Sequence, residues 1–339
     1  MKRIMTNILI CIASVLIIVS LGGGCAYVQP RSESEEIISY AGFAEIDLSK
    51  NSFLLVGDTR YPSLWEFWSD KTEKVHKQLV EEMARLDPAF IVILGDLTAN
   101  GSSRKEWQGF DCLNATLREK RIPYFPILGN HEVSGNVEAA LQNYFQRFSY
   151  LDYKRWYSFT WKNVGFIMVD SNFSTLTQEE NELQSQWYLN ELERFDKDER
   201  LDYVIVCCHE PPFTNSKRGP NRKVKMYFAD PFLRFKKTCL FFSGHTHSYE
   251  RFQFAGKFFI VSGGGGAPRY KVMTDPTERR YDDLFSGSEL RFFHFCRIES
   301  RDGVLFYKVL RLEANDTFAI VDPLTIQPGP ITFYHEFRP

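Results

Sequence analysis

Short, uninterrupted apolar runs recur along the chain, and each ends at a turn that carries Asp, Asn or His. The runs and the turns that follow them are Phe53–Val56 with Gly57-Asp58, Phe90–Leu94 with Gly95-Asp96, Pro123–Leu128 with Gly129-Asn130-His131, Tyr203–Cys208 with His209, and Thr238–Phe242 with Gly244-His245-Thr246-His247. Apolar runs without alternation are typical of strands that are buried on both faces. The chain is therefore expected to contain five such strands.

Segments of helical periodicity separate several of these runs. They cover roughly Thr72–Leu86, Ser103–Lys120 and Thr177–Phe195, and further strands are predicted at Trp156–Thr160, Val164–Val169, Phe292–Glu299 and Val304–Leu312. Alternation of strands and helices at this spacing predicts βαβ units and an α/β architecture.

The N-terminus has the features of an export signal. Lys2 and Arg3 precede an apolar run, Ile8–Leu21, which is short for a membrane-spanning helix and is followed by three glycines and Cys25. The Gly24-Cys25 pair resembles the cleavage site of bacterial lipoproteins, in which the cysteine receives the lipid. Residues 1–25 are therefore predicted to be a signal peptide of the lipoprotein type; plain secretion and an uncleaved anchor are the alternatives.

The remainder divides simply. Residues 26–46 include a polar, acidic stretch and are predicted to form a tether, and residues 47–339 a single catalytic domain. The protein is therefore expected to be exported to the cell envelope, and to be attached to the membrane if Cys25 carries a lipid. The formal net charge of −2 gives no electrostatic reason to expect a nucleic-acid partner.

The polar residues at the strand ends form a candidate set of metal ligands. In open α/β sheets, ligands bind beyond the carboxyl ends of the strands, so residues distant in sequence converge there. Carboxylate oxygen, amide oxygen and imidazole nitrogen suit first-row divalent ions such as Zn, Mn or Fe, and a carboxylate is able to bridge two of them.

The five motifs, in this order, resemble those of the calcineurin-like metallophosphoesterases. The resemblance covers Asn51 to about Ala267, and the continuation Ser248-Tyr249-Glu250-Arg251 is similar to the purple acid phosphatase branch. Gly-Asp after a strand is common turn chemistry, whereas Gly129-Asn130-His131-Glu132 and Gly244-His245-Thr246-His247 are more specific. The resemblance implies a four-layer αββα sandwich around two central mixed β-sheets.

The resemblance also implies a role for each motif residue. Asp96 would bridge two metal ions; Asn130, His209 and His245 would complete the second site, and Asp58 and His247 would belong to the first. His131 would assist the leaving group, and Glu132 would orient His131 through a hydrogen bond. A metal-bound hydroxide would then hydrolyse a phosphate ester, with monoesters favoured.

Two positions depart from the family pattern. Most members have a His where this chain has Arg60, and the purple branch supplies a Tyr where this chain has Ala99. Because Arg stays protonated and cannot ligate a metal, the first site is expected to be completed by water, weakly held or empty. Arg60 could instead contact a substrate phosphate or form a salt bridge.

Two other functions stay open on the sequence. A phosphodiesterase or nucleotidase would use the same metals, and neutral overall charge argues mildly against long nucleic acids. A non-catalytic exported protein that has lost the first metal is favoured only by Arg60 and Ala99.

Overall fold

Two six-stranded mixed sheets form the centre of the molecule in the computed structural model, which describes residues 38–62 and 72–329. The first sheet has the order β12-β11-β10-β1-β2-β3, and β1, β2 and β3 are parallel. Its strands are β1 (Ser52–Val56), β2 (Ile91–Ile93), β3 (Tyr124–Pro126), β10 (His294–Arg301), β11 (Val304–Leu312) and β12 (Phe318–Ile326).

The second sheet has the order β4-β5-β6-β7-β9-β8, in which β5, β6, β7 and β9 are parallel. Its strands are β4 (Tyr157–Trp161), β5 (Val164–Met168), β6 (Tyr203–Cys207), β7 (Thr238–Ser243), β8 (Tyr249–Phe254) and β9 (Lys257–Ser262). The candidate ligand residues identified from the sequence follow directly after β1, β2, β3, β6 and β7, at the carboxyl ends of these strands.

Helices cover the sheets. They are α1 (Glu73–Leu86), α2 (Arg104–Leu113), α3 (Ala115–Glu119), α4 (Val137–Arg147), α5 (Gln178–Lys197), α6 (Arg222–Val224) and α7 (Asp230–Phe232), and a π-helical turn, Lys225–Ala229, joins the last two. A capping box between Thr177 and Glu180 starts α5. Its buried residues Tyr188, Leu192 and Phe195 join a cluster with Val204 and Val206 of β6, on the outer face of the second sheet.

The main core lies between the sheets and is rich in aromatic side chains. Phe53 of β1 stacks on Phe90 at 5.0 Å between ring centroids and meets Phe166 of β5 edge-on at 5.1 Å. The continuous apolar runs are thus explained, because each central strand contacts the opposite sheet with one face and helices with the other. The predicted four-layer αββα arrangement is confirmed.

Several element boundaries differ from the prediction. The helix expected over Ser103–Lys120 is two helices, broken at Asn114, whose side chain donates to the Phe110 carbonyl and accepts from the Tyr124 hydroxyl. These local hydrogen bonds compete with helix continuation. Strands β8 and β12 were not predicted.

The predicted tether extends too far along the chain. The ring of Tyr40 is 5% exposed, its hydroxyl donates to Asp111, and its backbone N–H donates to the Arg147 carbonyl. Phe43 stacks on Phe125 at 5.0 Å. Residues 38–46 therefore pack on the domain, since burying these rings outweighs the polar composition of the segment before them.

The predicted signal peptide, with Cys25, lies outside the described residues, as does the tether up to residue 37. Within residues 38–62 and 72–329, no helix has both the length and the apolar character that a membrane crossing requires.

Candidate metal centre

Five strand ends bring the predicted ligands together. Asp58 follows β1, Asp96 follows β2, Asn130 follows β3, His209 follows β6, and His245 and His247 follow β7. Two groups of ligand atoms result, each within 4.8 Å: one from Asp96, His209 and His245, the other from Asp58, Asp96 and His247. Asp96 belongs to both groups, which is the arrangement that a bridging carboxylate requires.

The second site has four donors at short mutual distances. The Asn130 Oδ1 lies 3.0 Å from His245 Nδ1 and 3.2 Å from His209 Nε2. His209 Nε2 is 3.3 Å from both His245 Nδ1 and Asp96 Oδ1. Ligands bound at about 2.0–2.2 Å to one ion are about 3.0–3.4 Å from one another, so the four atoms are spaced to share a cation.

Backbone carbonyls orient the imidazole rings. His209 Nδ1 lies 2.7 Å from the Leu94 carbonyl oxygen, and His247 Nδ1 lies 2.6 Å from that of Pro268. A carbonyl only accepts, so each Nδ1 carries a proton and each Nε2 faces the site, where its lone pair can bind a metal when the ring is neutral. Metal-binding histidines usually have such a partner on the other ring nitrogen.

The first site has three donors among the described residues. His247 Nε2 lies 3.4 Å from Asp58 Oδ1, and both Asp58 oxygens accept the backbone N–H of His245, at 3.1 and 2.8 Å. That N–H fixes the Asp58 carboxylate and links the two sites. With Asp96 shared, the first site has one protein donor fewer than the second.

The electrostatics of the centre suit a cation. Asp58 and Asp96 are at most 1% exposed, and burial raises the pKa of Asp58 well above its usual value. Burial opposes ionisation of Asp96 too, but neighbouring His209 and His131 together outweigh it and lower that pKa. Burial lowers the pKa of His245 and His247 to about 3.

His209 is the exception among the three histidines. Burial disfavours its imidazolium, yet the carboxylates of Asp96 and Asp58 and the Leu94 carbonyl together outweigh burial and raise the pKa to about 10. A proton on His209 is therefore the charge that balances Asp96 when no metal is bound. A metal ion would take the place of that proton, so the residues present fit a cation and its binding would release a proton.

Four ligand residues adopt a left-handed backbone. The φ angles are 59° for Asp58, 55° for Asp96, 69° for His245 and 44° for His247. Residues other than glycine are strained in this conformation, and such strain clusters at functional sites.

Two glycines allow the ligand loops of β2 and β3 to touch. A Cβ on Gly129 would lie 2.3 Å from Asp96 Oδ1 and 2.4 Å from the Asp96 backbone nitrogen. Gly95 has φ +86°, and a Cβ there would lie 2.8 Å from the Gly129 Cα. Glycine at both positions is thus required by the close approach of Asp96 to the loop that carries Asn130.

Glu132 does not orient His131, contrary to the prediction. Its buried carboxylate accepts four backbone N–H groups: those of Asp96 and Gly129 on Oε2, at 2.7 and 2.9 Å, and those of Leu97 and Thr98 on Oε1, at 2.7 and 3.2 Å. Burial and the nearby Asp96 charge raise its pKa to about 7. Glu132 ties the loop after β2 to the loop after β3 and so positions Asp96 beside Asn130.

His131 is oriented by the backbone instead. The ring nitrogen Nδ1 lies 2.7 Å from the Ala99 carbonyl oxygen, and the ring nitrogen Nε2 is 3.8 Å from Asp96 Oδ2. The backbone N–H of His131 donates to Asp96 Oδ1 at 3.1 Å. The side chain is 23% exposed, whereas those of His209 and His247 are at most 1% exposed. The ring thus presents Nε2 at the rim of the centre.

Arg60 is buried rather than displayed at the surface. It is 2% exposed, its Nη1 donates to the Tyr61 carbonyl, and its backbone N–H donates to the Asp96 carbonyl. After burial, its charge is the next largest cause that lowers the pKa of His247. Arg60 therefore places a positive charge beside the first site, which disfavours a cation there, and the proposed contact with substrate stays a prediction.

Other residues near the centre were not predicted. Asn172 donates its amide to the carbonyls of Leu128 and Gly129. Tyr270 stacks on His247, and Arg218 contacts Tyr270. No motif marks them; the basic run that starts at Lys217 after the His209 turn is the only sequence signal for Arg218.

Comparisons with known proteins agree with this geometry. The family model "Calcineurin-like phosphoesterase" matches residues 52–249, which is more than half of the chain. Purple acid phosphatase 21 of Arabidopsis thaliana is 25% identical over 241 residues, covering 64% of this chain and 54% of the relative. Tartrate-resistant acid phosphatase type 5 of the rabbit Oryctolagus cuniculus is 23% identical over 288 residues, covering 78% and 86%.

A solved structure has the same fold. The purple acid phosphatase isolated from yellow lupin (Lupinus luteus) seeds matches with a TM-score of 0.64 and 17% identity, over 82% of this chain and 53% of that one. The chain thus spans about half the length of the Arabidopsis and lupin proteins. With its motifs at five strand ends and its family model matched over most of the domain, the chain belongs to the calcineurin-like phosphoesterases, a family of phosphoric ester hydrolases.

Proposed function

We propose that this protein is a metal-dependent phosphoesterase that hydrolyses phosphate monoesters. The observation that carries the proposal is the pair of donor groups that share Asp96, since two-metal hydrolysis of phosphate esters needs a bridging carboxylate at their junction. The matching relatives named as acid phosphatases support a monoester substrate.

Six residues would hold two transition-metal ions, Zn, Mn or Fe, with Asp96 shared. When bound, such ions lower the pKa of water and offset the charge of a phosphoryl group. The protein supplies the rest: Asn130, His209 and His245 converge on one position, and Asp58 and His247 on the other.

His131 would serve the leaving group. Its Nδ1 proton is held by Ala99, so the exposed Nε2 is the nitrogen that faces substrate and would give its proton to the departing oxygen. Asp96 accepts the backbone N–H of His131, and the imidazole Nε2 lies 3.8 Å from Asp96 Oδ2.

A phosphodiesterase or nucleotidase activity on the same ligands is the second candidate. The weakened first site is the observation that favours a third, a non-catalytic exported protein, because Arg60 supplies charge where a ligand is expected. Both are decided by measurement on the purified full chain.

The test combines metal content with turnover. The full chain is loaded with Zn, Mn or Fe, the metals per chain are counted, and 4-nitrophenyl phosphate and bis(4-nitrophenyl) phosphate are assayed before and after chelation. We expect monoester hydrolysis that follows metal content. Metal-loaded protein that hydrolyses neither substrate would refute the enzymatic proposal, and faster diester hydrolysis would favour the second candidate.

The N-terminal sequence adds a proposal about location. We infer export to the cell envelope with a lipid on Cys25, on the basis of the apolar run and the Gly24-Cys25 pair. Incorporation of labelled palmitate that is abolished by Cys25→Ala would support it, and unlabelled protein in the culture medium would contradict it.

A further inference from the structure

Two loops meet beside the His247 edge of the metal centre. One follows β6 and His209, and the other follows β9; an isolated bridge pairs Ser216 with Val272 across them. Arg218 and Tyr270 lie two residues from this bridge, one on each loop, and their side chains are in contact. A cationic side chain is thereby placed near the ligands.

The contact continues to a metal ligand. The Tyr270 ring stacks on the His247 imidazole with centroids 4.4 Å apart and planes 14° apart. The Arg218 guanidinium lies 4.6 Å from the centroid of the same tyrosine ring, and its Nη2 donates to the Tyr270 hydroxyl at 2.9 Å. One tyrosine therefore holds the guanidinium by a cation–π contact and a hydrogen bond at once.

Buried contacts hold both loops in place. Glu250, 0% exposed, accepts the Thr214 hydroxyl and the Asn215 N–H at 2.5 and 2.7 Å. The Asn215 side chain in turn accepts the N–H groups of Arg280 and Tyr281, on the loop that follows β9. The two loops are thus fixed to strand β8 and to each other, so the backbone near Arg218 is held in place.

The charge of Arg218 is available to a ligand. The residue is exposed, and within residues 38–62 and 72–329 it forms no ion pair with a carboxylate. Its positive charge also contributes, after burial and closer neighbours, to lowering the pKa of both His245 and His247. Its field therefore reaches one ligand of each metal site.

We propose that Arg218 is a specificity-determining residue, positioned by Tyr270, that favours a phosphoryl group with two negative charges over one with a single charge. The inference rests on the proposed function and deepens it, since a phosphate monoester is mostly a dianion above pH 7 whereas a diester is a monoanion. A fixed cation at the rim attracts the additional charge, and guanidinium matches phosphate oxygens in geometry.

The test compares Arg218→Gln with the wild type at pH 7.5 on 4-nitrophenyl phosphate and bis(4-nitrophenyl) phosphate. We expect kcat/KM for the monoester to fall roughly tenfold, mainly through KM, and that for the diester to change less than about threefold. Arg218→Lys should restore part of the difference. Equal losses on both substrates, or no loss on either, would overturn the proposal.

Two control variants separate charge from position. Lys217→Gln removes the same charge one residue away and should leave both substrates within about twofold of wild type. Tyr270→Phe should reduce the monoester preference in the wild type but have no further effect in Arg218→Gln. An additional loss in the double variant would mean that Tyr270 does not act through Arg218.

A binding measurement keeps this inference distinct from the proposed function. Calorimetry with inorganic phosphate on the metal-loaded full chain should give a roughly tenfold weaker Kd for Arg218→Gln, at unchanged metal content. If the wild type hydrolyses neither ester, the proposed function fails, and this titration alone decides whether Arg218 recognises phosphate. Equal phosphate affinity in both proteins would exclude that role.

Discussion

The two halves of the metal centre share one carboxylate but are built unequally. In the second, the donor atoms of Asn130, His209 and His245 lie within 3.3 Å of one another, and Asp96 Oδ1 lies 3.3 Å from His209 Nε2. Glu132 fixes the loops that carry Asp96 and Asn130. In the first, Asp58, Asp96 and His247 converge beside a buried arginine. A family motif that is complete in one half therefore does not guarantee an equivalent site in the other.

The two metal sites differ in the contacts that support their ligands. In the second half, Gly95 and Gly129 allow the loops after β2 and β3 to come close together. The buried carboxylate of Glu132 then joins these loops by accepting four backbone N–H groups. The first half has three donors and lies beside the positive charge of Arg60. Substitution of a single residue at the periphery should change metal affinity little at the second site. At the first site, substitution of Arg60 alone should change it.

Asp96→Asn and Asp58→Asn test the inequality most severely. Asp96→Asn removes the shared carboxylate, so both metals should be lost and turnover should fall by about 10³-fold or more. Asp58→Asn should lose only the first metal. Metal content by elemental analysis, with turnover, is the readout; two metals retained in Asp96→Asn would disprove the bridge.

His131→Ala separates chemistry from metal binding. Because His131 contacts Asp96 through its backbone N–H, the variant should keep its metals while kcat falls by about 10²–10⁴-fold. Activity on a monoester with a good leaving group should fall less than on an alkyl phosphate. If metal content falls and turnover per bound metal is unchanged, His131 is a structural residue.

Glu132→Gln should weaken the second site most, because Glu132 holds both of the loops that supply its ligands Asp96 and Asn130. The amide has one acceptor oxygen, and its NH₂ group would face backbone N–H groups, so the loop after β2 loses its attachment. Affinity for the second metal should fall by about 10–100-fold in a competition titration. Glu250→Gln, at another buried carboxylate, is the matched control and should leave that affinity within about twofold; equal effects would indicate general destabilisation.

Arg60→His should raise the affinity of the first site for metal, and this is the smallest effect expected among these variants. The change removes a positive charge and adds a ligand, and we expect affinity for the first metal to rise about tenfold. Arg60→Gln removes the charge alone and should give a smaller gain. If the two variants bind the first metal equally, the charge of Arg60, and not the missing ligand, is what weakens the site.

Much of this centre could be predicted from sequence because its ligands follow buried strands. A continuous apolar run indicates a central strand, and the residue after it must lie at the strand's carboxyl end, so Asp58, Asp96, Asn130, His209 and His245 were expected to converge. The resemblance to a family added their division into two sites.

The supporting contacts could not be predicted in the same way. Glu132 was expected to bind its neighbour His131, but the sharp turn after β3 directs the carboxylate towards the β2 loop. Arg218 and Tyr270 are brought together by a bridge between loops about 50 residues apart in sequence. Tyr40 was assigned to a tether because only tertiary packing shows where its ring lies.

The left-handed backbone at the four ligand residues limits how this protein could be made more stable. At Asp58, Asp96, His245 and His247, glycine would adopt the observed angles without steric conflict, whereas aspartate and histidine adopt them at a steric cost. A laboratory selection for heat resistance alone, carried out in the presence of a chelator, would thus drift towards glycine at these positions and erase the ligands. Selection in the presence of the metal would oppose that drift, because bound ions stabilise only the folded chain that still has its donors.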